Sequence, residues 1–282
     1  MSLWMLRCYL GDFRTLLTGG SAGVLQLMYP PLGAAVAAQS DFFGDPFGRV
    51  YRSVPQIWAT VLAPDGAERA RRIRDLHRSI QGTDASGRPF HALDPETYWW
   101  AHATFTWEVF EAIRLFFPGG LGGVDVERLY ADSVGWYELY GVSSRPVPPD
   151  YRAFLAKFDD VCATTLEMTP AAARTLEMAL AGQWRPPLIR TNFRDPLSKG
   201  AGRALVIGAL PALVRRRFDI PWTRWDQRRF RLVCGVVRQG FRYVPKQVHR
   251  RALNLGLRYV GVSTRAERFV PGAQGDGAPP RS

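Results

Sequence analysis

Imidazoles are the side chains in this sequence best suited to ligation or proton transfer, and there are four: His77, His91, His102 and His249. His102 lies in PETYWWAHATFTWEVFEAIRLFF, where the only charged residues after the first turn are Glu108, Glu111 and Arg114. At ~100° per residue these three fall at about 240°, 180° and 120° from His102. They read as one solvent-facing stripe, and His102 points away from it, among Phe105, Thr106, Val109 and Ile113. His77 lies in GAERARRIRDLHRSIQG, on the stripe of Ala70, Ile73, Leu76 and Ile80, with Arg74 at its edge. Two helices are therefore expected to aim a histidine each into an aromatic interior. His91, in the turn-like SGRPFHALDP, and His249, beside Arg250 and Arg251, read as surface groups.

Two chemistries fit such histidines. A buried imidazole is commonly neutral and hydrogen-bonded to a carbonyl or hydroxyl, with a structural role alone. Two imidazoles centred on apolar faces point instead to a shared ligand or cofactor. Zinc lacks its further ligands at metal spacing. Haem needs one axial histidine, aromatic and aliphatic walls, and arginines for its propionates, all of which the sequence offers. There is no G-x-S-x-G elbow, Walker loop or Rossmann fingerprint, which excludes the hydrolase and nucleotide-binding classes built on them.

The elements that must position these residues are helices, because helical spacing recurs and alternating strand patterns are almost absent. Helices are expected near 2–17, 21–38, 46–62, 66–81, 95–117, 124–140, 150–166, 170–181, 201–217, 223–243 and 245–261. Asp94-Pro95 and Thr169-Pro170 each supply a cap followed by proline at the first helical position. Gly82 and the Gly119-Gly120 and Gly122-Gly123 pairs read as helix stops. The longest connection runs over 183–203. The fold class expected is all-α: one multi-helix domain over 1–262 around a buried haem pocket, with a disordered Gly/Pro-rich tail over 263–282.

Bulk properties bound the partners. Hydrophobic residues make up 46% of the chain and aromatic residues 12%, enough for a large core. The net charge is +12, and all but three of the 37 basic residues are arginine. The arginines are scattered through helical segments, so nucleic acid is not the expected partner; peripheral contact with an anionic membrane stays open. Cys8, Cys162 and Cys234 form no CxxC pair, as suits free thiols in a reducing, cytoplasmic setting. The most apolar interior stretch, 204–214, is well short of the ~20 residues of a spanning helix.

The order of motifs resembles the MpaB-type oxygenase family, which includes the rubber-cleaving latex clearing proteins. The resemblance runs over roughly 19–261 and rests on LQL…P…A…S-D-F, then Gly48-Arg49, then R-x-L-H-x-x-I-x-G from Arg74 to Gly82, then W-x-H-A-T from Trp100 to Thr104. A later LPALVRRRFDIPWT and YVPKQV continue it. It implies an all-α haem b oxygenase using dioxygen on an apolar substrate, an isoprenoid, lipid or polyketide-like alkene, by oxidative C=C cleavage; it leaves any redox partner unspecified. By the same resemblance His102 is the proximal ligand of the haem iron, with Thr104 closing its motif. Arg74 and His77 lie on the distal side, where rubber-cleaving members carry a lysine at the position that aligns with His77. Asp41 and Arg49 are pocket or propionate residues, or else a helix cap and a surface ion pair. A non-catalytic haem carrier or sensor, and a cofactor-free basic binding protein, are the rival expectations.

Overall fold

Prolines and short polar caps decide where the helices begin and break. The computed structural model describes residues 3–38, 46–84, 86–183 and 196–245 and the isolated positions 248 and 258, with backbone alone over 46–52 and 196–199. Among these residues the order is α1 (Trp4–Leu10), α2 (Phe13–Leu16), α3 (Gly19–Leu27), α4 (Pro30–Ala38), α5 (Pro46–Leu62) and α6 (Gly66–Leu76), then a hairpin of β1 (Gln81–Thr83) and β2 (Pro89–His91). There follow α7 (Pro95–Phe116), a 3-10 turn (Gly120–Gly123), α8 (Val126–Glu138), α9 (Tyr151–Thr164), α10 (Pro170–Leu180), α11 (Pro196–Ala209), α12 (Ala212–Arg217) and α13 (Arg224–Gly240).

The all-α class holds, with three expected helices each divided in two. The first breaks after Gly11, where the Asp12 carboxylate accepts from the Arg14 backbone N–H at 2.9 Å and starts α2. The second breaks at Tyr29-Pro30, since proline has no N–H to continue α3 but is at home in the first turn of α4. Pro211 divides the third in the same way. Both expected Asp/Thr-Pro starts are real: Asp94 accepts from Glu96 and Thr97, and Thr169 from Ala172. Gly119 and Gly120 adopt positive φ after α7, as a helix stop requires. Gly82 does not end a helix; it sits in β1, opposite Phe90. Strands of three residues are too short to leave an alternating pattern. The expected helix over 245–261 and the tail over 263–282 fall outside the described residues, apart from the two isolated positions.

α7 is the axis of the molecule. It touches α1, α2, α3, α4, α8 and α13, and Trp100 and Trp107 both stack on Phe158 of α9, at 4.9 and 5.7 Å between ring centroids. The Trp100 indole donates to the Leu25 carbonyl of α3 at 3.1 Å, and the Thr18 hydroxyl donates to the Glu108 carbonyl at 3.1 Å. Polar groups along the helix are thus tied to neighbouring segments as well as packed against them. No helix among the described residues is long and apolar enough to cross a membrane.

α11 and α13 close the side of the molecule next to α7 by an approach that only glycine permits. A Cβ on Gly208 would stand 2.4 Å from the Phe230 ring. Gly208→Ala is therefore expected to cost about 1–3 kcal/mol through overpacking, measured as a lower denaturant midpoint at unchanged slope.

Candidate functional site

His102 projects from α7 toward α8 and is buried. Its ring lies edge-on to Trp136 at 4.7 Å and Tyr137 at 5.2 Å, with Tyr140 at 6.5 Å. Nε2 meets the Ser133 carbonyl oxygen at 3.0 Å, so this nitrogen carries the proton and donates. The Ser133 hydroxyl lies 3.3 Å from the same nitrogen and also pairs with the Thr106 hydroxyl, one turn along α7. Burial lowers the pKa of His102 to about 4, against a smaller opposite effect of the Ser133 bond. The imidazole is neutral at physiological pH, the form that ligates metals.

His77 is placed differently from the expectation. α6 ends at Leu76, and His77 is its C-cap, half-buried, with Nδ1 2.7 Å from the Ile73 carbonyl oxygen. Leu76, expected on the buried stripe, is 70% exposed. The helix stops before the stripe completes another turn, so the residues after it turn out toward solvent. One histidine enters the core, and the other stands at its rim. Between them is a wedge of tyrosines: His77 lies 6.2 Å from the Tyr98 ring, and Tyr98 lies 5.5 Å from Tyr140 and 6.2 Å from Tyr137. Burial raises the pKa of all three phenols, Tyr140 to about 12, so they are neutral donors. Arg74 pairs with Asp75 at 2.8 Å, and its guanidinium lies over Gly141, where a Cβ would come within 3.0 Å of it.

The remaining expected residues divide. Thr104 leaves the His102 side of α7: its hydroxyl donates to the Ala101 carbonyl at 2.9 Å and accepts from the Gln26 amide of α3 at 2.8 Å. Two residues along a helix is roughly 200° of rotation, which puts it on the opposite face. Asp41 lies outside the described residues, and Arg49 is described only as backbone in α5. His91 is in β2, with Nδ1 accepting from the Leu93 N–H at 3.1 Å, and His249 lies outside the described residues.

The charged stripe on α7 is corrected. Glu108 is 4% exposed and Glu111 8%, because α7 is covered on that face too. Glu108 lies against Gly19, whose Cβ would approach its Oε1 to 3.1 Å. Burial pushes its pKa up to about 8. Glu111 accepts from the Arg114 guanidinium at 2.7 Å. Sequence reasoning missed Ser133, Trp136, Tyr137 and Tyr140; the run DSVGWYELYG carries this aromatic cluster at helical spacing.

A family comparison is decisive for the class. The sequence model of the family described as ER-bound oxygenase mpaB/B'/Rubber oxygenase, catalytic domain, matches residues 7–239. The chain belongs to this family. No curated protein and no solved structure matches it.

The donor set around His102 fits the haem that the resemblance implies: a neutral imidazole in an aromatic cage, with a cationic Arg74 at the rim. The room does not match in this packing. The void bounded by His102, Ser133, Tyr130 and Tyr137 is about 10 Å³, near one water molecule, whereas small-molecule sites span roughly 300–1,000 Å³. Holding the macrocycle requires the tyrosine wedge to part and Nε2 to leave the Ser133 carbonyl. A larger open cleft of about 620 Å³ lies elsewhere along α7, near Trp107, Leu115 and Phe230. Two of its four arginines serve the fold: Arg215 donates to the Gly208 carbonyl at 2.9 Å, and Arg238 to that of Leu115 at 2.7 Å.

Two buried titratable groups of α7, Glu108 and His102, act on stability in opposite directions. The raised Glu108 value means that the folded chain keeps a proton that the unfolded chain releases, so stability falls as pH rises from about 4.5 to about 8. The lowered His102 value makes stability fall as pH drops from 6.5 toward 4. Glu108→Gln should therefore remove a loss of roughly a few kcal/mol on the alkaline side. Chemical denaturation at pH 6.5 and 8 checks this; a variant with the parent's pH slope would show that Glu108 is not the group responsible.

Proposed function

We propose that this oxygenase-family chain is a haem b-dependent oxygenase that uses dioxygen on an apolar alkene, an isoprenoid, lipid or polyketide-like molecule, by oxidative C=C cleavage. The observation that carries the reading is His102, a neutral imidazole in a cage of Trp136, Tyr137 and Tyr140 on the central helix of a member of this family. His102 would hold the iron, and Arg74 with His77 would act from the opposite side. Haem, when bound, supplies redox-active iron for dioxygen chemistry.

The chain's own part is positioning and exclusion. The rings of Tyr98, Tyr137 and Tyr140 fill the interior now and, parted, would give an alkene its apolar walls. His77 donates from Nδ1 to the Ile73 carbonyl, so in the neutral ring Nε2 is left at the rim as an acceptor or ligand. The Arg74 cation, which pairs with Asp75, would turn to a carboxylate such as a propionate or donate to a polar oxygen. Asp41 and Arg49 are proposed with this group on the resemblance alone.

A second reading draws on the Ser133 bond: a hydrogen-bonded, neutral His102 is what a purely structural core histidine looks like. The two readings separate in one experiment. Protein produced with haem supplementation should show a Soret band and one haem per chain by pyridine haemochrome. His102→Ala should lose that band while Arg74→Ala keeps it and consumes less dioxygen with a polyisoprenoid alkene. Colourless parent protein, or full haem content in folded His102→Ala, would sink the ligand assignment.

A further inference from the structure

The outer face of α13 takes no part in the site around His102. Phe230 and Cys234 turn inward and are buried, while Trp225, Leu232 and Val236 are 75%, 67% and 63% exposed. Their spacing of seven and then four residues puts all three within roughly 40° of one line along the helix. Tyr243, just past the end of α13, is 84% exposed. A monomer rarely leaves a continuous ridge of large apolar groups in water without a use for it.

The surroundings of the ridge are uniformly basic. Arg224, Arg228, Arg229 and Arg231 are all exposed, and the Arg228 guanidinium stands 5.0 Å from the Trp225 ring centroid. The sole acid in α13, Asp226, is committed to the cap at Thr223 and faces Arg203 at 3.4 Å. Asp226 is shared by Arg203 and Arg229, so Arg224, Arg228 and Arg231 have no acid on this helix. A purely apolar partner would leave them unpaired, and a purely polar polyanion would leave Trp225, Leu232 and Val236 in water. The combination of an apolar line, an indole and flanking arginines matches the boundary between acyl chains and anionic headgroups.

We propose that α13 docks the protein on an anionic membrane surface. The helix lies in the plane of the interface, Trp225, Leu232 and Val236 enter the headgroup–acyl boundary, and the arginines pair with lipid phosphates. The proposal is independent of the haem assignment, since it uses none of the same residues.

Co-sedimentation of the full chain with vesicles tests it. Vesicles of phosphatidylcholine mixed with phosphatidylglycerol should bind the protein at low salt, and binding should weaken as salt rises. Leu232→Glu with Val236→Glu should reduce binding at least about tenfold, and Arg228→Glu with Arg231→Glu should do so selectively on the anionic vesicles. Undiminished binding by both double variants overturns the proposal, as does equal binding of the parent chain to pure phosphatidylcholine or no binding to either vesicle. Melting temperatures should be unchanged, because the altered side chains are exposed. A fall of several degrees would mean that other parts of this chain cover the ridge. A parent dimer that Leu232→Glu with Val236→Glu converts to monomer, with no vesicle binding, would assign the ridge to a second copy instead.

Discussion

The burial of α7 on every side is the constraint on which the rest of this structure depends. A helix so enclosed cannot send its polar groups to water, so each must find a partner within the fold or give up its charge. His102 does both, as a neutral ring donating to Ser133. Thr104 turns to Gln26, Glu111 takes Arg114, and Glu108 holds its proton well above the usual carboxylate range. The same enclosure makes the aromatic stacks possible, because Phe158 can meet Trp100 and Trp107 together only if α9 lies along the axis.

That enclosure also defines what kind of site the chain can carry. The interior between α6, α7 and α8 is filled by Tyr98, Tyr137 and Tyr140, which touch each histidine from opposite ends. These rings are wide and neutral, and they are tied at their tips, as where the Tyr137 hydroxyl donates to the Ser143 carbonyl at 3.0 Å. The helix containing Arg74 ends there, with His77 as its C-cap, and in chain order only the short hairpin, which packs on α4, separates it from α7.

Basic charge is used twice in this protein. Inside the clefts, Arg14, Arg215, Arg217 and Arg238 spend their donors on a carboxylate or on backbone carbonyls that close loops and helix ends. On α13, arginines stand exposed beside an apolar ridge and outnumber the helix's one carboxylate, Asp226. Net charge alone cannot separate these two uses, since the same residue type serves both.

The sequence by itself determined the helical class, most helix starts, the family and the inward direction of His102. These follow from local causes: the 3.6-residue period of apolar side chains, proline's missing N–H, the short acceptors of Asp94 and Thr169, and motif order. It could not fix the ends of helices that stop without a glycine or proline, which is why His77 was expected on a buried stripe and stands at the rim. Nor could it say that Glu108 and Glu111 are covered, because a charged residue reads as exposed until a neighbouring helix is seen to lie on it. Ser133 as the partner of His102, the tyrosine wedge, and Thr104 facing α3 are contacts between residues distant in sequence. Only the tertiary structure decided them, since the free energy that selects such pairs comes from desolvation by neighbours that no local pattern names.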